Sequence, residues 1–313
     1  DPSKSYTKEL EKLLGKPRER GDRFFVDPEN VERDQHYADI AKSLQVITEE
    51  AVLALARRAK QITGSKNLCF SGGVALNCVA NARILRELDY DDVFLQPAAG
   101  DSGSALGAAF YAYNILLGNP KVNSGFTHPY WGTEISDEEV EQEIKARGLT
   151  KVTKFNTFEE LLPRLAEILN SEKVIGWCQG RFEWGPRSLG ARSIIASAAK
   201  AEMRDTVNLK IKFREAFRPF APAVIEEAAD EYFDMKHQTK TSMYKYMLAT
   251  CQVKQAKLLE AITHVDGSGR AQTVNRETNA KFYDLLKAYE KLSGIPVLIN
   301  TSYNLRGEPI VRT

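Results

Sequence analysis

The stretch from residue 180 to 222 constrains this chain most, because positively charged and aromatic residues alternate along it. Its nine cationic residues are Arg181, Arg187, Arg192, Lys200, Arg204, Lys210, Lys212, Arg214 and Arg218. The aromatic residues among them are Phe182, Trp184, Phe213, Phe217 and Phe220. Since exposed aromatic area is costly, this pattern predicts an ordered, half-buried surface instead of a solvated basic run.

Guanidinium and ammonium groups clustered on such a surface suit an anion. Arg presents a planar fork that fits phosphate or carboxylate, and several cations together can neutralise a nucleotide triphosphate. The alternative is a basic surface whose arginines pair with Glu183, Glu202 and Glu215. The formal net charge of the whole chain is +1, so any anion site must be local, and we expect neither nucleic acid nor a membrane as a partner.

Length and composition indicate an ordinary globular protein. With 313 residues, of which 27% are charged and 43% hydrophobic, the chain is long enough for two domains. No signal peptide is visible, and the longest apolar run is far shorter than the roughly 20 residues of a membrane span. The four cysteines are scattered without a CxxC pair, which favours a reduced, cytoplasmic protein. The chain begins without Met and ends soon after a predicted strand, so we expect a fragment or a partly ordered chain.

The first 120 residues predict alternating helices and strands. A helix over 39–62, ended by Gly64, precedes a strand over 67–71, a helix over 75–88 and a strand over 91–96. This order is typical of an α/β layer, and the segment 118–135, rich in Gly, Pro and Asn, is interpreted as a linker. The later sequence predicts helices over 136–146, 158–170, 223–232 and 277–292, and strands over 173–177, 243–250 and 296–299.

Two Gly-rich turns follow the first two predicted strands. Gly72 and Gly73 allow a phosphate to approach the backbone at a helix N-terminus, although close packing of helix on strand explains a Gly pair equally well. Asp101 lies in the second turn, where its carboxylate can reach a metal or a phosphate-bound cation; the alternative is a plain helix N-cap.

Polar residues also gather near the end of the chain. Asn300, Ser302 and Asn304 follow the predicted strand 296–299, where they either bind phosphate or ribose or form a turn. The histidines, His36, His128, His237 and His264, lack the spacing of a helical two-histidine metal site, and no cysteine carries the signature of a nucleophile.

Five ordered blocks of the sequence resemble the O-carbamoyltransferases of the nodulation-factor and antibiotic-tailoring type. The blocks are LCFSGGVALNCVAN (68–81), QPAAGDSGSALGAA (96–109), GRFEWGPRSLGARSI (180–194), NLKIKFREAFRPFAP (208–222) and NTSYNLRGEP (300–309). The resemblance implies an α/β fold with the second half of an actin-like ATPase (RNase H-like) domain over 1–120 and a YrdC-like domain over 121–313. It implies that carbamoyl phosphate and ATP, with Mg²⁺, form carbamoyl adenylate. The carbamoyl group then passes to the hydroxyl of a small-molecule acceptor with the help of an iron-type metal.

The resemblance also implies roles for individual residues. Catalytic phosphate-binding cations would be Arg187, Arg192, Lys212 and Arg218. The remainder of that pocket would be Arg270, Asn300, Ser302 and Asn304, and the nucleotide loop of the first domain would be Gly72, Gly73 and Asn77. Asp101 would be a metal ligand. The half of the actin-like domain that holds the metal's histidines in this family is absent from the sequence, so we expect an incomplete metal site.

Two other functions fit the same residues. The first is synthesis of threonylcarbamoyl adenylate for tRNA modification, in which bicarbonate and threonine replace carbamoyl phosphate. The second is a non-catalytic nucleotide- or RNA-binding module that uses the arginine cluster. Release of AMP or pyrophosphate with either substrate set distinguishes the three functions.

Overall fold

A computed structural model describes residues 7–19, 31–121, 126–215, 217–235 and 241–312. Its helices are α1 (Lys8–Leu14), α2 (Val31–Thr63), α3 (Cys78–Glu87), α4 (Ser104–Tyr111), α5 (Asp137–Ala146), α6 (Phe158–Asn170), α7 (Ala201–Asp205), α8 (Ala229–Tyr232) and α9 (Ala280–Ser293). Its strands are β1 (Asn67–Cys69), β2 (Asp92–Phe94), β3 (Ile175–Cys178), β4 (Arg192–Ser197), β5 (Ala221–Ile225), β6 (Cys251–Gln252), β7 (Ser268–Gly269), β8 (Gln272–Val274) and β9 (Val297–Ser302). The prediction of a mixed α/β protein is confirmed.

The chain divides into two compact units, residues 1–55 and 56–313. In the first unit the side chain of Thr7 caps α1, and Gly15 ends that helix with a φ of 82°. The imidazole Nε2 of His36 lies 2.7 Å from the carbonyl oxygen of Leu14. The hydroxyl of Tyr37 donates a hydrogen bond to the carbonyl oxygen of Lys16 at 3.2 Å. These bonds attach the end of α1 to the first turns of α2.

The second unit opens with a parallel pair of strands. Strands β1 and β2 pair with Leu68 opposite Val93, and the chain between them passes through the 3₁₀ turn Gly73–Leu76 and helix α3. The Oδ1 atom of Asn77 accepts a hydrogen bond from the amide of Ala80 and so caps α3. The predicted order of strand, Gly pair, helix and strand is therefore confirmed, although the α-helix begins only at Cys78.

A five-stranded sheet forms the centre of the second unit, in the order β3–β4–β9–β5–β8. Three of its pairings are antiparallel, and β5 and β8 are parallel. In β4 and β5 every residue is buried, which is expected for strands with neighbours on both sides and covered faces. Asn300 of β9 lies opposite Ile195 of β4 and opposite Ala221 of β5, so it sits at the middle of the sheet.

Helices α6 and α9 pack on this sheet and form the hydrophobic core with it. Leu169 of α6, Phe282 of α9 and Ile195 of β4 are fully buried there. A β-carbon on Gly190 would lie 2.2 Å from a ring carbon of Phe282, and the φ of Gly190 is 100°. Only glycine fits this position, so the core fixes the course of the segment that precedes β4.

Three sequence predictions need correction. Residues 223–232 do not form one helix, because 221–225 is a strand inserted between β9 and β8, and burial between two strands overrides helical preference. Residues 243–250 do not form a strand: Met243–Tyr246 is a 3₁₀ turn, followed by Met247 in the left-handed conformation. The strand predicted over 296–299 extends to Ser302, so Asn300 and Ser302 lie within it instead of after it.

Among the helices of the described residues, none combines the length and the apolarity that crossing a bilayer requires.

Candidate anion-binding site

A cavity of about 110 Å³ lies at the end of the sheet where β9 ends and β5 begins. Its polar lining comes from Arg187, Ser188, Arg214, Arg270, Asn300, Thr301 and Ser302. Phe220 and Met247 contribute apolar walls. None of the described residues that line it is acidic, so the cavity gathers three guanidinium groups without a carboxylate.

Burial and neighbouring positive charge lower the pKa of two of these arginines, Arg187 and Arg214. Burial, and then the nearby charge of Arg270, lowers the pKa of Arg187 to about 10. Burial also lowers the pKa of Arg214 to about 10, and the charges of Arg218 and Arg270 act in the same direction. Both values lie well above neutral pH, so Arg187 and Arg214 stay charged there, and the cavity holds an excess of positive charge that a bound anion would offset.

Several buried polar atoms at this cavity have no hydrogen-bond partner among the described residues. They are Nε of Arg187, Nε of Arg270, Oγ of Ser188 and Oδ1 of Asn300. The residues Ser188 and Asn300 are only 3% and 1% exposed. Because buried polar groups are nearly always hydrogen-bonded in folded proteins, four such atoms around one cavity indicate a ligand that both donates and accepts hydrogen bonds.

Arg214 is held in place from two sides. Its Nε donates to Oδ1 of Asn208 at 2.7 Å, and its guanidinium lies 4.7 Å from the ring centroid of Phe220. Asn208 belongs to the π-helical segment Thr206–Ile211, a geometry that is frequent at functional sites. Arg214 was predicted as part of the basic stretch but not as a site residue. Its position two residues after Lys212 was the feature of the sequence that could have indicated a role in the site.

Arg192, predicted to bind phosphate, is a fully buried anchor of the backbone. Its guanidinium donates to the carbonyl oxygens of Gln179, Gly180, Ala191 and Arg312 at 2.9, 3.1, 3.0 and 3.0 Å. A fifth, longer contact of 3.5 Å reaches the carbonyl oxygen of Thr133. The structure therefore does not bring Arg192 to the cavity.

Lys212 is also buried, and its ammonium group is directed at the end of β9. It donates to the carbonyl oxygen and Oγ of Ser302, and to the carbonyl oxygen and Oδ1 of Asn304. Burial, followed by the charge of Arg214, lowers the pKa of Lys212 to about 8. The amine does not line the cavity, but it positions Ser302, which does.

Arg218 illustrates the alternative of a charged surface. Its side chain is half exposed and its Nε lies 2.9 Å from a carboxylate oxygen of Glu215. Phe213 and Phe217 are 61% and 52% exposed, so the expected half-buried surface is wrong for these two rings, while Phe220 is buried as expected.

The Gly-rich turns of residues 72–101 lie outside the cavity. Gly72 has a φ of 104°, and a β-carbon on Gly72 or Gly73 would meet no atom within 4 Å, so close packing does not explain this pair. The turn remains a predicted nucleotide loop. Asp101 is exposed and begins the 3₁₀ segment Asp101–Gly103, for which Gly100 is the N-cap; the N-cap alternative for Asp101 is therefore wrong.

The described residues do not fit the implied iron-type metal. They contain no group of three His, Cys, Asp or Glu side chains arranged to hold an ion. His237 lies outside the described residues. Asp101 accordingly stays a predicted ligand without partners in the described part of this chain.

The two Gly-rich turns nevertheless lie next to the segment that carries Arg187. A β-carbon on Gly185 would lie 2.8 Å from the carbonyl oxygen of Pro97, and Gly185 has a φ of 116°. The carbonyl oxygen of Cys78, at the start of α3, accepts a hydrogen bond from the amide of Thr250 at 3.2 Å, three residues after the cavity residue Met247. The predicted nucleotide loop and the cavity thus belong to adjacent parts of one compact unit.

Comparison with known proteins assigns the family. The sequence matches the family described as Carbamoyltransferase N-terminus over residues 14–110 and the family described as Carbamoyltransferase C-terminus over residues 166–313. The chain therefore belongs to the carbamoyltransferases, a family of enzymes.

Curated relatives support this assignment. An uncharacterized protein of Synechocystis is 42% identical over 304 residues, nodulation protein NolO of Bradyrhizobium diazoefficiens is 38% identical over 279, and nodulation protein NolNO of Sinorhizobium fredii is 41% identical over 278. The matches cover 89%, 89% and 88% of this chain but 49%, 50% and 40% of the respective relatives. The chain thus spans about half the length of the curated relatives it matches, or less.

One solved structure, full-length HypF in the phosphate- and nucleotide-bound form, matches 50% of this chain and 19% of that chain. The identity is 16% and the TM-score is 0.35, so this structure is too dissimilar to inform the function of the chain.

Proposed function

We propose that the cavity between Arg187, Arg214 and Arg270 binds the phosphoryl group of carbamoyl phosphate, and that the protein converts carbamoyl phosphate and ATP into carbamoyl adenylate. The observation that supports this is that the cavity gathers three guanidiniums and four buried polar atoms that have no partner, and no acidic lining residue, among the residues that the structure describes. The cavity, of about 110 Å³, has room for several water molecules and hence for a phosphoryl group.

The chemistry proceeds in two balanced steps. Water cleaves carbamoyl phosphate into carbamate and inorganic phosphate; a carbamate oxygen then attacks the α-phosphorus of ATP, and pyrophosphate leaves. The second step brings two anions together, and both steps build negative charge on phosphoryl oxygens. The fixed forks of Arg187, Arg214 and Arg270 lower that repulsion, and Ser188 donates a further hydrogen bond.

The carbamoyl group then goes to the hydroxyl of a small-molecule acceptor, with release of AMP. ATP enters with Mg²⁺, and the loop of Gly72, Gly73 and Asn77 is its proposed contact. No step is assigned to the iron-type metal, because the described residues do not fit it. The four cysteines are free, in keeping with the reduced cytoplasmic setting that we expect.

The experiment measures pyrophosphate release from Mg·ATP with carbamoyl phosphate, and separately with bicarbonate plus threonine. Release with carbamoyl phosphate alone supports the proposal. Release only with bicarbonate and threonine would identify threonylcarbamoyl-adenylate synthesis instead, and ATP binding without release in either mixture would identify a non-catalytic module. The matched control is Tyr289→Phe, which removes a buried hydrogen bond to Ser197 (2.9 Å) outside the cavity.

A further inference from the structure

The segment that carries Arg187 and Ser188 is folded around one buried carboxylate. Glu183 is only 3% exposed, and its Oε1 accepts hydrogen bonds from the amides of Leu189, Ala191 and Arg192 at 2.7, 2.8 and 3.2 Å. Its other oxygen, Oε2, is buried without a partner among the described residues. A single side-chain oxygen therefore closes the loop from residue 183 to 192.

Side chains from other elements hold the carbonyl groups of the same loop. The carbonyl oxygen of Ser188 accepts from Asn300, and that of Leu189 accepts from Tyr130 and Gln272. The carbonyl oxygen of Gly190 accepts from Trp177 and Gln179, at 2.8 Å each. The amide of Gly190 itself donates to Oγ of Ser193 at 3.1 Å.

The carbonyl groups and the amides of this loop have different partners. Six side chains hold the carbonyl groups, Asn279 being the sixth with a longer bond of 3.5 Å to the carbonyl oxygen of Gly190, so the loss of one leaves the others in place. Three of its amides depend on Glu183 alone, and they lie just after Arg187 and Ser188. Buried amides without an acceptor are costly, so the loop would have to open or rearrange if the carboxylate were removed.

We infer that Glu183 is a positioning residue of the anion site: it sets the loop conformation that presents Arg187 and Ser188 to the cavity. This inference rests on the proposed function of the cavity. Anion affinity gains from donors that are already in place before binding, so Glu183 acts on binding through the loop without touching the ligand.

The test compares wild type, Glu183→Gln, Glu183→Ala and the control Tyr289→Phe, with inorganic phosphate as the probe. Glutamine keeps a carbonyl oxygen for the three amides but loses the charge; alanine loses the acceptor. We expect Glu183→Ala to raise the phosphate concentration for half-saturation by about tenfold or more, since a buried group left without its partner is costly. We expect Glu183→Gln to recover most of this loss, and Tyr289→Phe to bind as the wild type does.

Hydrogen exchange gives a second readout that does not depend on catalysis. In Glu183→Ala the amides of Leu189, Ala191 and Arg192 should lose protection, while the amides of α9 should keep theirs. If the alanine variant does not fold, Glu183→Asp, which withdraws the acceptor oxygen by one methylene, should show the same local loss. Phosphate affinity and loop protection both unchanged in a folded Glu183→Ala or Glu183→Asp protein would overturn the positioning role and leave the proposed function standing. Failure of the wild type to bind phosphate would overturn the proposed function itself.

Discussion

The cavity and the buried contacts of Arg192 and Lys212 use the same kind of residue for opposite purposes. At the cavity, buried Nε atoms of Arg187 and Arg270 have no partner among the described residues and lie next to a space that an anion would fill. By contrast, Arg192 donates to four carbonyl oxygens within 3.1 Å, and Lys212 donates to oxygens of Ser302 and Asn304. A cation in a basic stretch can therefore bind an anion only if some of its hydrogen-bond donors are not already used by the protein.

The largest effect is expected from Arg192→Ala. Removal of the guanidinium takes the donor from the carbonyl oxygens of Gln179, Gly180 and Arg312, whereas those of Ala191 and Thr133 keep an amide donor. Since an unsatisfied buried group costs about 1–3 kcal/mol and the lost side chain is fully buried, we expect a loss of several kcal/mol in the free energy of unfolding, or failure to fold. Arg187→Ala is the matched control, and it should lose little stability because Arg187 already lies beside a like charge. Chemical denaturation of both variants measures this. Equal free energies of unfolding for Arg192→Ala and Arg187→Ala would contradict the view that Arg192 is structural while Arg187 is a binding group.

Arg214→Ala should have the next largest effect, on activity and not on folding. Loss of one charge-assisted contact to a buried phosphoryl group should lower kcat/KM for pyrophosphate release by an amount that corresponds to about 1.5–3 kcal/mol of lost transition-state stabilisation. Arg214→Lys keeps the charge but loses the fork and the hydrogen bond to Asn208, so it should recover only a small part. Full recovery with lysine would show that a diffuse positive field, and not a fixed guanidinium, supports the reaction.

The sequence could predict the elements of this site better than its contacts. Helix α6 was predicted with its observed bounds, because apolar periodicity and a Thr cap are local signals. The basic stretch was recognised from its residues alone. Which cations face the cavity was not predictable, since the acceptors of Arg192 lie as far away in sequence as Thr133 and Arg312.

The hydrogen-bond partners of Glu183 could not be predicted from the sequence either. The sequence suggested a pair between Glu183 and an arginine, but the carboxylate accepts from three backbone amides instead. Strand β5 was missed for a related reason, because only its neighbours β9 and β8 make residues 221–225 extended. Local sequence signals carry no information about such distant partners.

A smaller effect should appear in the pH dependence of stability. The pKa of Lys212 is about 8 in the folded chain against an ordinary value of 10.5, so between these values the unfolded chain binds more protons. The contribution of Lys212 to stability therefore rises as the pH increases from about 8 to about 10.5. The difference in free energy of unfolding between wild type and Lys212→Met should shift in favour of the wild type across that window. A difference that stays constant from pH 7 to 10.5 would contradict the lowered pKa.

The smallest effect is expected from Asp101→Asn. The carboxylate is exposed and does not line the cavity, so pyrophosphate release from ATP and carbamoyl phosphate should be nearly unchanged, with or without added ferrous ion. A full-length relative carrying the equivalent change should lose delivery to the acceptor alcohol while carbamoyl adenylate still forms. Collapse of adenylate formation in a folded Asp101→Asn protein would place Asp101 in the first reaction.

The central claim is that Arg270 repels Arg187 and Arg214 until a phosphate binds among the three guanidiniums. Its most direct test measures the thermal midpoint of wild type and Arg270→Gln, each with and without inorganic phosphate. Without phosphate, Arg270→Gln should be at least as stable as the wild type, because a like charge beside Arg187 and Arg214 is removed. With phosphate, the order should reverse, since the wild type binds the anion more tightly. An equal phosphate-induced shift in both proteins, or none in either, would contradict the account.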